Sequence, residues 1–391
     1  MKPKPKARLV LYLLLLFIVA NLVVTAYFLW PVVESEFFPT TTYTALPTDI
    51  PPVPIDTPYP TNIIPTETAT ETPTPTEIPP TATPTELSAN YIGVVDSGVI
   101  ILSLADGPYF HLFAYHPQYL PLLRLTNDEA DDIHPAVSPD GTRIAFSSRR
   151  NGFWDLFIFD LQTWSFVQIT STPEYEGSPT WSPDGQWIAY ESYANGNMDI
   201  FLLEVPHPEK APLQLTDDPS TDHSPDWMPG ENGRQIAFVS DRSGEPEIWL
   251  ARLDNFKERF INISLDADSK DTHPVWSPDG NLISWAKDNL GDHALVTWNI
   301  ANPNSPAIPA GTGDWPVWNP DGTSLLAYVR QPNLNAIASY EAGTGLINIP
   351  LIRMPGPIQG LDWEKYDLPN LLAPRLSEAH HQWQNHFGGL Y

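Results

Sequence analysis

The chain has 391 residues, enough for one large domain or two ordinary ones, and its 20 Lys+Arg against 47 Asp+Glu give a formal charge of −27. That balance excludes nucleic acid, whose phosphates need a basic counter-surface, and argues against an anionic lipid surface under the folded body. Cysteine is absent, which removes disulfides, thiolate nucleophiles, thiolate metal sites and a lipid-modified N-terminal cysteine.

Taken in chain order, residues 1–8 form a basic stub with Lys2, Lys4, Lys6 and Arg8. Residues 9–30 are almost wholly apolar, broken most clearly by Asn21 and Thr25. As a helix rising about 1.5 Å per residue they cross a hydrocarbon core of roughly 30 Å. The basic flank stays inside, and Glu34 and Glu36 follow on the other side. The expectation is a single-pass protein of the cell membrane, N-terminus cytoplasmic, body extracellular or periplasmic. A cleavable signal peptide, cut after Val24-Thr25-Ala26, is the rival reading and also places the body outside. Residues 31–88 are rich in Thr, Pro and Glu. They cannot bury enough apolar surface to offset their ordering entropy, so a disordered, extended linker is expected.

The body, residues 89–364, repeats one unit. Pro135-Ala136-Val137-Ser138-Pro139-Asp140-Gly141 opens the series and Pro179-Thr180-Trp181-Ser182-Pro183-Asp184-Gly185 repeats it. Pro225-Asp226-Trp227-Met228-Pro229-Gly230 is a degraded copy. Pro274-Val275-Trp276-Ser277-Pro278-Asp279-Gly280 and Pro316-Val317-Trp318-Asn319-Pro320-Asp321-Gly322 complete the five. Ser-Pro-Asp-Gly suits a type I turn, with proline presetting φ at the second position. Each turn leads into a β-rich run such as Ile144-Ala145-Phe146, a hairpin signal such as Asn195-Gly196, a third strand such as Asp199-Ile200-Phe201-Leu202, and a fourth ending at Leu-Thr or Ile-Thr. A repeat of roughly 40–50 residues with four strands is a propeller blade. Residues 90–126 hold later strands without an opening Trp strand, and Gly360-Leu361-Asp362-Trp363 supplies that strand alone. The fold class is therefore all-β: a six-bladed β-propeller whose composite closing blade joins the region near Tyr91 to the region near Trp363. Residues 365–391 form a C-terminal tail whose Trp383 and Phe387 are expected to pack on the outer blades.

These motifs resemble the TolB-type family of WD-repeat-like propellers over roughly residues 91–363. The resemblance implies a partner-binding propeller. The wider family also includes protease-associated propellers and lyases that use channel-mouth histidines with a metal. A membrane helix and linker stand where the TolB type carries a separate N-terminal domain, which puts a Tol-Pal role in question.

An acid stands just before each opening strand: Asp132, Glu176, Asp222, Asp271 and Asp314, with His134, His223 and His273 close behind. First strands of propeller blades line the axis, so these side chains are expected to gather at one channel mouth and focus negative potential there. The competing reading has each acid capping its own turn. No Gly-x-Ser-x-Gly, His-Glu-x-x-His or Gly-rich phosphate loop occurs. The expected function is a membrane-anchored extracytoplasmic scaffold with a monomeric body. It would bind a protein or peptide, a basic one favoured by charge, with no catalytic residue, metal or cofactor. The alternatives are a metal-dependent polysaccharide lyase or hydrolase using the three histidines, and a structural envelope component.

Overall fold

The computed structural model describes residues 98–364, apart from 117–118, 231–232, 266–268 and 290–291. The expected membrane helix, the linker, the strand at 91–95 and the tail lie outside those residues. Among the described residues no helix is long and apolar enough to cross a membrane.

Six four-stranded antiparallel sheets make up the described body. The first blade holds β1 (Val99–Asp106), β2 (Tyr109–His116) and β3 (Tyr119–Arg124). The second runs β4 (Asp132–Val137), β5 (Arg143–Ser148), β6 (Asp155–Asp160), β7 (Ser165–Gln168). The third is β8 (Glu176–Trp181), β9 (Trp187–Ala194), β10 (Asn197–Glu204), β11 (Leu213–Gln214), and the fourth β12 (Asp222–Trp227), β13 (Gln235–Ser240), β14 (Glu247–Arg252), β15 (Phe260–Asn262). The fifth is β16 (Lys270–Trp276), β17 (Leu282–Asn289), β18 (Asp292–Asn299), β19 (Ile308–Thr312), and the sixth β20 (Asp314–Trp318), β21 (Ser324–Gln331), β22 (Leu334–Glu341), β23 (Ile347–Met354). The last strand, β24 (Ile358–Glu364), returns to pair with β1 and completes the first blade.

Closure therefore joins both ends of the body, with a corrected partner. Ile100 pairs with Trp363 and Val99 with Glu364, so the sealing strand starts at Val99 rather than near Tyr91. The strand Tyr109–His116, which the repeat pattern did not single out, fills the place after it. Its alternation is masked by Tyr, His and Phe on both faces.

The repeated motifs have separate mechanical roles. In the four intact turns the glycine N–H donates to the carbonyl three residues back, as Gly141 does to Ser138 at 2.8 Å. Asn195-Gly196 is a two-residue hairpin with positive φ at both positions, 56° and 85°, as a type I′ turn requires. The Leu-Thr signature is a clamp. Thr126, Thr170, Thr216 and Ser264 accept the N–H of Leu112, Leu156, Ile200 and Ile248 at 2.8–3.0 Å. Each hydroxyl thus satisfies a buried amide that the short outer strand leaves unpaired.

The core is six cores. Each apolar cluster lies between two neighbouring blades, such as Ile188 and Tyr190 of the third against Ala145 and Leu156 of the second around Trp181. The opening-strand tryptophans Trp181, Trp227, Trp276, Trp318 and Trp363 each pack back on the preceding blade, and Val137 takes that place in the second. Burying one such side chain contributes on the order of 3 kcal/mol, so the ring is held by its seams.

Candidate functional site

The inner strands β24, β4, β8, β12, β16 and β20 touch in that cyclic order. The blades of β24 and β12 are consequently opposite one another, as are those of β4 and β16. Five of the six inner strands break register at the same point, a bulge between the residue pairs Ile133/Ala136, Gly177/Thr180, His223/Asp226, Thr272/Val275 and Asp314/Val317. At each bulge the residue before Pro takes a left-handed backbone: His134, Ser178, Ser224, His273 and Trp315, with φ between 48° and 52°. In the composite blade the equivalent is Gly360, φ 104°. A Cβ there would meet the His134 Cα at 3.0 Å, so glycine lets β24 and β4 approach. Left-handed φ costs a non-glycine residue on the order of 1–3 kcal/mol, and bulges re-aim side chains. All six residues line a central cavity of about 890 Å³.

The cavity runs from that ring to the Ser-Pro-Asp-Gly turns, where Pro139, Pro183, Pro229, Pro278 and Pro320 edge its mouth. At the ring end, Trp315 stacks on His273 at 3.6 Å between centroids, and His134 lies 5.1 Å away on the tilted ring pair. Asp314 accepts the His273 Nδ1–H at 2.7 Å. That bond holds Asp314 below the ordinary carboxylate range although burial opposes it. Ser178 donates to Glu191 at 2.9 Å, so its oxygen accepts the His134 Nδ1–H at 3.2 Å and Nε2 of that ring is left as an acceptor. Burial lowers His134 to about 4, against the attraction of Glu191, and keeps the ring neutral. Glu191 is the hub of this end. It accepts the Tyr175 hydroxyl at 2.8 Å and the Ser224 N–H at 2.7 Å. Burial would raise its pKa, but His223, His134 and these donors outweigh burial and hold it down. His223 is itself lowered by burial, with Glu191 opposing.

Midway down the wall stand Asp226 and Asp362, from opposite blades. Each accepts the N–H of the next blade's inner strand: Asp226 from Trp276 at 2.7 Å, Asp362 from Val137 at 2.6 Å. Burial and the charge of Asp362 raise Asp226 to about 7, and burial raises Asp362 to about 6. Two half-buried carboxylates that resist ionisation therefore face one cavity.

The acids expected at a mouth do not gather there. Asp132, Glu176, Asp222 and Asp271 are buried, and none lines the cavity. Asp132 is bound by Arg150 at 2.9 Å and Asp222 by Arg242 at 2.7 Å, and each arginine lies over aromatic rings of its own blade. Asp271 is raised to about 6 by burial, and burial also raises Glu176. Asp314 stands one residue later in the unit than the other four, because Gly313 occupies their position; this shift brings it to His273. Of the histidines, His134 and His273 line the cavity and His223 does not. Trp315 contacts both of the first two, and among the described residues no three His, Asp or Glu side chains converge to hold a metal ion. Sequence reasoning passed over Ser178, Glu191, Ser224, Trp315, Asp226 and Asp362. Two of these had a signal: Asp226 and Asp362 directly precede the Trp of their units, where Ala136, Thr180, Val275 and Val317 stand elsewhere.

Known proteins place this architecture. TolB from Acinetobacter baumannii superposes with a TM-score of 0.60 at 21% identity, over 68% of this chain and 66% of that one. Hydrazine synthase from Kuenenia stuttgartiensis gives 0.57 at 14% identity over 70% and 47%, and a chain of a nidogen/laminin complex 0.54 at 10% over 68% and 97%. The chain thus spans just under two thirds of the Acinetobacter protein and about half of the synthase, and at these identities the likeness is one of fold. A search of curated proteins finds no match. The family model described as the TolB beta propeller domain matches residues 120–367, more than half of the chain, and the protein belongs to that family.

Proposed function

We propose that this propeller is a binding scaffold for a polypeptide segment, held in the axial cavity rather than on the buried acids. The observation that carries the reading is the cavity itself: about 890 Å³, edged by prolines and walled by two opposed carboxylates. Concave sites of this size with few convergent polar groups hold ligands in general. Asp226, Asp362 and the surplus of 47 acids over 20 bases favour a basic segment. The apolar run at 9–30 supports presentation of the scaffold outside the cell membrane on the linker of 31–88, with a monomeric body.

Hexalysine is a direct probe. Titration calorimetry on the full chain in detergent should show saturable binding that weakens with salt and falls at least about tenfold, or 1.4 kcal/mol, in the Asp226→Asn/Asp362→Asn double variant. Asparagine keeps an oxygen for the inter-blade N–H, so the fold is retained. Equal binding by that variant, or by hexaglutamate, would remove the cavity carboxylates from recognition. The membrane reading has its own check: alkaline carbonate should leave the full chain with the membrane fraction and a chain starting at residue 31 in solution.

A further inference from the structure

The rings at the inner end of the cavity form a barrier. His134 belongs to β4 and His273 to β16, on opposite blades, and Trp315 of β20 contacts both, stacked on His273 and tilted toward His134. The bar reaches from one wall of the channel to the other. The sector of the third and fourth blades beside it is occupied by Ser178, Ser224, Tyr175 and Glu191, joined by hydrogen bonds. Gly177 lies under the Tyr175 hydroxyl, where a Cβ would have no room. No residue that precedes this level on any inner strand lines the cavity. The opening edged by the lining residues is at the Ser-Pro-Asp-Gly turns. Both ends of the described chain lie on that same face, because Val99 pairs with Glu364 just past the Trp level of β24.

We propose that the channel is a one-ended cup whose floor is set by Trp315, and that it admits the free cationic end of a polypeptide through the turn face only. This rests on the peptide-binding reading above and adds the direction and depth of insertion. A segment that enters a cup with one opening cannot thread through it, so a chain end fits where a continuous strand does not. The acceptors within reach are the Asp226 and Asp362 carboxylates and, at the floor, the neutral His134. They suit an ammonium or guanidinium group. Trp315 is placed at a cost: its φ of 50° is one that the equivalent positions give to Ser178, Ser224 and Gly360 on three other blades. Its ring lies against two imidazoles, stacked on His273 and tilted toward His134. Its role is to end the cavity.

The native chain has no cysteine, so one introduced thiol reports one position. Ala136→Cys places it on the cup wall and Thr272→Cys one residue before His273, on the far side of the floor. Both full-chain variants are treated with iodoacetamide, with and without hexalysine at ten times its dissociation constant. Protection of about tenfold is expected at position 136 and none at position 272. In a Trp315→Ser background, which keeps a residue type already present at this bulge, both positions should be protected. Protection of both in the native background would show a through-channel and overturn the cup while leaving peptide binding intact. Protection at 136 alone in the Trp315→Ser background would remove Trp315 as the floor. Protection at neither position would refute the peptide reading instead. The floor is then tested without ligand. The ring protons of His273 should lose the upfield shift of a stacked indole on Trp315→Ser, and an unchanged spectrum would overturn the bar.

Discussion

At the scale of single residues, one acid type serves two purposes according to its place along the inner strand. Asp132 and Asp222 are fully buried, face arginines and hold a blade together. Four residues further on, Asp226 and Asp362 face the cavity and bind protons more tightly than an ordinary aspartate. This second pair gives a pH signature. The unfolded carboxyl titrates near 3.9 and the folded Asp226 at about 7. Between about pH 4 and 7 the folded state therefore holds more protons than the unfolded one. Its stability falls as pH rises through that window and levels off above it. Thermal midpoints of the native chain and Asp226→Asn should converge near pH 4 on a common baseline and separate toward pH 7, with the native chain losing more. Parallel curves would mean that Asp226 ionises as it does in water. The sequence showed that acids and histidines cluster at the inner strand, but not which way they point. A left-handed bulge before each proline decides that, and nothing in composition marks φ.

At the scale of the element, the blade is legible because each of its signals is local. Turn, hairpin and periodic apolar runs are all fixed within a few residues. The Leu-Thr ending was legible as a strand end, while its chemistry needed the third strand beside it. Thr216 takes the N–H of Ile200 at 2.9 Å in a fully buried setting. Thr216→Val keeps the shape and leaves that donor without an acceptor, at a cost of about 1–3 kcal/mol. The urea midpoint should fall accordingly, and exchange of the Ile200 amide should accelerate more than that of amides in distant blades. A neutral result would mean that another acceptor takes over. The sealing strand was misplaced by one element for a related reason. Both 91–95 and 99–104 are β-rich, and only pairing with Trp363 tells them apart.

At the scale of the whole molecule, six seams in a circle make every blade depend on the last strand. Without β24, Val99, Ile100 and Leu102 lose their partner strand, and the cluster that Trp363 and Ile358 complete is opened. A chain ending at Pro357 should lose cooperative unfolding and self-associate through the uncovered edge of β1. A chain ending at Glu364 should unfold in one transition. Circular dichroism melts and light scattering distinguish the two, and a monomeric, cooperative protein ending at Pro357 would show that the ring does not need its seal.

The pairing of Val99 with Glu364 also means that the body has no privileged beginning. If those residues were joined by a short bridge, the chain could be cut instead at the Asn195-Gly196 hairpin or at any intact Ser-Pro-Asp-Gly turn. A circularly permuted protein of the same shape would then carry its attachment point on whichever blade, and whichever face, the cut was made.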